Sequence, residues 1–127
     1  MSIAVGLDEL RAEIEGRSRA PYVLTVSPDG RPHAVAISVC WDGDSLILDP
    51  GNRTADNAAD RPLVSLVWPP DMADGYSLIV DASVTVVDGP GDGRNRLVLA
   101  PTKAVLHRPA TVPGSADGCA ADCIPLT

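Results

Sequence analysis

Two tight-turn signals, Pro28-Asp29-Gly30 and Asp42-Gly43, each lie between runs rich in β-branched residues. Such a turn flanked by β-formers is a strong short-range hairpin signature, because the strands must reverse there and pair with each other. Three antiparallel strands are therefore expected in succession. The first begins at Tyr22, the second runs from His33 to Trp41, and the third covers Ser45 to Asp49. Pro50-Gly51 ends the pairing. Asn52 to Asp60 then reads as a short helix capped by Asn52 or Thr54 and stopped before Pro62, with a fourth strand from Leu63 to Trp68.

The flanking segments extend this plan. Leu7, Leu10 and Ile14 recur at helical spacing between charged residues, which predicts an amphipathic helix over 6–17 that lids one end of a barrel. Gly16 closes it, and Pro21 prevents continuation into the first strand. A fifth strand is expected from Tyr76 to Asp88, with Leu78, Val80, Ala82, Val84 and Val86 on its inner face. The Gly89-Pro90-Gly91-Asp92-Gly93 turn leads into a sixth strand, Arg96 to His107, in which Pro101 implies a bulge or a bend. Residues 109–127 have the composition of a tail that is ordered only if docked, leaving residues 1–108 as one domain.

The faces of the second strand differ in size. His33, Val35, Ile37, Val39 and Trp41 point one way, and Ala34, Ala36, Ser38 and Cys40 the other. Bulky residues can fill a barrel, whereas a row of small ones admits a flat group or another backbone. The small face could equally lie under the N-terminal helix.

A net charge of −7 argues against nucleic acid or an anionic membrane as partner, since both reward surface Lys and Arg. No apolar run is long enough to span a bilayer, and acidic residues occupy the region where a signal peptide would be basic, so a cytoplasmic location is expected. Three cysteines, with Cys40 inside a strand, do not indicate a disulfide framework.

The loop Gly51-Asn52-Arg53-Thr54, opening onto a helix, is the best candidate for a binding site. Free N–H groups, the helix dipole and the Arg53 guanidinium all favour an anion there. The alternative is an ordinary helix start with Arg53 paired to Asp56 or Asp60. His33 and His107 lack partners at a meaningful spacing. Cys119 and Cys123 with His107 supply only three of the four ligands that structural zinc wants, so no metal site is assigned. No hydrolase triad order, phosphate loop or dinucleotide fingerprint is present, and no catalytic residue can be named.

The succession S-P-D-G-R-P-H, strand, D-G-D, strand, G-N-R-T-x-x-N, R-P-x-V-S-L resembles the pyridoxamine 5′-phosphate oxidase-like proteins over roughly residues 7–108. The resemblance implies a six-stranded antiparallel split β-barrel with two short helices, of the kind that binds FMN or coenzyme F420. It also implies a homodimer with cofactor sites at the subunit interface. By the same resemblance the phosphate would meet Asn52, Arg53, Thr54 and Asn57, and the ring would lie near Ala34, Ala36 and Trp68. Arg53 and Asn57 match the family pattern, whereas Thr54 and Asp56 stand where further basic residues are common, and the connection between the last two strands is only a hairpin. Two functions are compatible with this pattern. One is a flavin- or deazaflavin-dependent oxidoreductase acting on a small molecule; the other is a split-barrel binding module, for haem or another small ligand, that has lost redox chemistry.

Overall fold

A computed structural model describes residues 1–88 and 95–110. The elements in chain order are β1 (Ser2–Val5), α1 (Leu10–Glu15), β2 (Tyr22–Val26), β3 (Pro32–Ala36), β4 (Val39–Asp42), β5 (Ser45–Leu48), α2 (Asn52–Asp60), β6 (Leu63–Trp68), β7 (Ser77–Asp88) and β8 (Arg96–His107). All eight strands join one antiparallel sheet in the order β3-β2-β6-β7-β8-β5-β4, with β1 added to β8. The mainly β class with two helices is as expected, but the described residues form eight strands rather than six.

The two extra strands have separate origins. Ser2–Val5 is too short to show a period, and becomes a strand because it pairs with Ala104–His107. The second expected strand is in fact two, β3 and β4, which lie at opposite ends of the sheet order yet are joined by only Ile37 and Ser38. Three Cα steps span at most about 11 Å, so the sheet must roll until its ends nearly meet. That geometry is the split barrel. At the corner the Ile37 N–H donates to Pro21 O at 3.1 Å and the Val39 N–H to Arg19 O at 2.8 Å.

Val23, Val64, Leu66, Trp68, Leu78, Val80, Leu97 and Leu99 fill the barrel with Leu46 and Leu48. The N-terminal helix is shorter than 6–17, but Leu10 and Ile14 still plug the barrel while Leu7 lies outside, 51% exposed. Pro101 does sit at an irregularity: Ala82 pairs with Pro101 while Asp81 pairs with Lys103, leaving Thr102 as the extra residue. A second bulge at Thr85 breaks the expected alternation of β7. Val84 pairs with Leu99 and Val86 with Val98, so Val86 turns outward and Val87 packs on the core instead. The expected 89–93 turn and the Cys119/Cys123 pair lie outside the described residues. No described helix is long and apolar enough to cross a membrane.

Candidate functional site

Helix α2 begins at Asn52, and its N-cap is Gly51 in an extended conformation (φ −70°, ψ 174°). The expected side-chain cap from Asn52 or Thr54 is absent: Gly51 supplies the extended residue that starts the helix, and no side chain bonds to it. The first intrahelical bond is Ala55 N–H to Gly51 O at 3.1 Å, so the N–H groups of Asn52, Arg53 and Thr54 have no acceptor within the helix. No acidic residue occupies the first turn to oppose an anion. The φ of Gly51 suits any residue, and a Cβ added there would meet nothing within 4 Å. Space in front of the helix start, rather than backbone strain, is what this glycine leaves.

Two concavities flank that point. The larger, about 1100 Å³, runs between the α1–β2 connection and the β4–β5 hairpin, with Arg17, Arg19, Ala36, Ser38, Gly51 and Arg96 among its walls. The smaller, about 550 Å³, is lined by Ser27, Asp29, Arg31, Arg53, Asp56 and Asn57. Residues expected to act together are thus divided: Ala36 belongs to the groove, Arg53 and Asn57 to the recess, and Asn52 stands at the helix start between them.

The anchoring of α2 explains the division. Asn57 is buried, and its Nδ2 donates to Thr25 Oγ1 at 3.1 Å and to Ser27 Oγ at 3.4 Å, which pins the helix to β2. Thr54, 2% exposed, turns its side chain inward and can offer a ligand only its N–H. Arg53 is exposed and takes no part in the ion pairs among the described residues, Arg31–Asp29 at 3.7 Å and Arg96–Asp49 at 3.4 Å. The pairing of Arg53 with Asp56 or Asp60 is therefore not formed.

Trp68 is placed differently from Ala34 and Ala36. Its ring is 1% exposed, and Nε1 donates to Ser18 O at 2.8 Å, so it belongs to the barrel filling and seals the end under the α1–β2 connection. Ala34 and Ala36 are exposed, and α1 does not cover them. Register places Ala36 opposite Tyr22, Ala34 opposite Leu24, and Tyr22 opposite Val67 on the same outer face. With Tyr22 48%, Val26 37% and Leu63 74% exposed, that face is an apolar sheet surface.

Sequence reasoning did not find Arg31, Arg96 or Asn95. Arg31 reaches the recess through the β2–β3 turn, where Asp29 Oδ1 accepts its backbone N–H at 3.2 Å. Asn95 donates from Nδ2 to Pro50 O at 3.2 Å and to Asn52 Oδ1 at 2.9 Å, bracketing Gly51. His33 is half-buried with an unpartnered Nδ1, and the His107 ring bonds to Ser2 Oγ at 3.1 Å. Among the described residues no three His, Cys, Asp or Glu side chains converge as a metal site would require.

No family model matches the chain. Uncharacterized proteins of Mycobacterium bovis and Mycobacterium tuberculosis are each 39% identical over 116 residues, covering 81% of this chain and 82% of theirs. Among solved structures, an F420 reductase superposes with a TM-score of 0.58 at 22% identity, over 69% of this chain and 90% of its own. A candidate pyridoxamine 5′-phosphate oxidase of Listeria innocua gives 0.64 at 14% identity over 79% and 96%. An FMN-binding protein of Syntrophomonas wolfei gives 0.66 at 16% identity over 83% and 88%.

Proposed function

Because the chain belongs to one family with the two mycobacterial proteins and has the pyridoxamine 5′-phosphate oxidase-like split-barrel fold, we propose that it binds FMN or coenzyme F420 and serves as an oxidoreductase for a small molecule. The observation that carries this reading is the junction at Gly51, where a helix start whose first three N–H groups have no acceptor in the helix opens onto a groove whose lining includes the small side chains of Ala36 and Ser38. The phosphate lies at that helix start, with Arg53 as the main side-chain contact, while Arg31 in the same recess is paired with Asp29. The ring lies in the groove over Ala36 and Ser38, where small side chains leave room for a flat group.

Redox chemistry in this reading is supplied by the bound cofactor, and the chain's residues supply position and exclusion of water. A groove of about 1100 Å³ is at or above the ~300–1,000 Å³ typical of ligand pockets, so a further wall would fit the ligand better. A second copy of the chain, docked on the apolar face of Tyr22, Val26, Leu63 and Ala34, is the proposed source of that wall.

The test is the absorbance spectrum of freshly purified protein, followed by titration with FMN, with oxidised and reduced F420, and with haem. Saturable binding with a perturbed ring spectrum is expected. No response to either cofactor would overturn the reading, and a response to haem alone would favour a binding module without redox turnover.

A further inference from the structure

We infer that Asn95 is a positioning residue for the cofactor phosphate, acting through the Pro50-Gly51-Asn52 loop; the inference rests on the function proposed above. Asn95 is 8% exposed and stands immediately before β8, where its only described side-chain bonds run to Pro50 O and Asn52 Oδ1. One amide group therefore grips the residues on both sides of Gly51. The next residue, Arg96, lines the groove and pairs with Asp49 at 3.4 Å, so the start of β8 holds the whole β5–α2 connection from 49 to 52.

That connection needs an outside hold. Gly51 makes no side-chain contact, Pro50 has no N–H to donate, and no side chain caps the helix. Without Asn95, the Pro50 carbonyl and the Asn52 side chain lose their shared donor, and the direction of the first-turn N–H groups is left to the helix behind them, the buried Pro50 ring and the exposed Arg96–Asp49 pair. A phosphate held by several N–H groups is sensitive to that direction, because each bond weakens steeply as its angle closes. The proposed ring contacts, Ala36 on β3 and Ser38 in the β3–β4 connection, lie outside this loop, of which only Asp49 and Gly51 reach the groove wall. Asn95 should therefore act on the phosphate end of the ligand alone.

The experiment compares affinities for FMN and riboflavin, and for F420 and its phosphate-free deazaflavin fragment, in the full-length wild type, Asn95→Ala and Asn95→Asp. The wild type should prefer the phosphorylated member of each pair. Both variants should bind it about tenfold more weakly and leave the phosphate-free member nearly unchanged. The Asp variant keeps the shape but loses the donor, so recovery of affinity in Asn95→Asp would refute a donor role. Val80→Ala, a barrel-core change, is the control for general destabilisation and should leave the preference intact. If the Asn95 variants fail to fold, Asn52→Ala removes the exposed acceptor instead, and the same selective loss is expected. Equal loss for both members of a pair, or no loss at all, overturns the inference while leaving cofactor binding standing. A wild type that binds neither cofactor sinks the proposed function and the inference with it.

Discussion

The hold between α2 and β2 can be measured apart from any ligand. Asn57 is 3% exposed and Thr25 1%, and the Asn57 Nδ2 to Thr25 Oγ1 bond of 3.1 Å joins the helix that carries Arg53 to the strand that leads into the β2–β3 turn. Asn57→Ala removes this bond and the longer one to Ser27 Oγ, leaving a buried hydroxyl with one partner fewer, at a cost of about 1–3 kcal/mol. Thr25→Val leaves the buried amide with only its longer bond to Ser27 Oγ and should cost about 1–2 kcal/mol. Removing both groups leaves nothing unsatisfied in the pair, so the double variant should be about 1–2 kcal/mol more stable than the sum of the single losses implies. Urea unfolding of the four proteins reads the energies. Thermal melts should show shifts of about 3–5 °C per kcal/mol for a domain of this size. Strict additivity would refute the reasoning, because it would mean that the two side chains do not depend on each other for burial.

Other expectations concern the site and the outer face. Arg53→Ala should lower FMN or F420 affinity by about ten- to a hundredfold, and Asp56→Arg should raise it; calorimetry showing neither change would place the phosphate elsewhere. Leu63→Glu, at an outer-face position 74% exposed, should leave the melting temperature nearly unchanged but shift light scattering from a dimer to a monomer mass, and a monomeric wild type would refute the dimer. Ligand quenching of tryptophan fluorescence should disappear in Trp41→Phe, because Trp41 lines the groove, and persist in Trp68→Phe, whose ring is enclosed; the opposite outcome would move the ligand out of the groove.

What the sequence alone determined is local. Gly30 and Gly43 adopt positive φ, 85° and 61°, at the two turns whose residues announced them, and α2 has the bounds expected from the Gly51 and Pro62 signals. The alternation of large and small residues from His33 to Trp41 correctly separated inner from outer face, because side-chain direction in a strand depends only on position along it. That same alternation hid the break at Ile37–Ser38: the faces continue through it, while the pairing partners change from β2 to β5. The outward turn of Val86 depends on the extra residue Thr85 in its register with β8, and the burial of Trp68 depends on the chain that caps the barrel end at Ser18.

The candidate site divides in the same way. Arg53 and the open helix start were legible because a glycine, a helix boundary and a guanidinium are consecutive. Arg31 enters the recess from another turn, and Asn95 meets Asn52 from 43 residues away. Periodicity and turn chemistry carry information over one element, whereas these meetings are set by strand order and register. Only the rolled sheet, which brings the start of β8 beside β5 and the β2–β3 turn beside α2, decides which distant polar groups face one ligand.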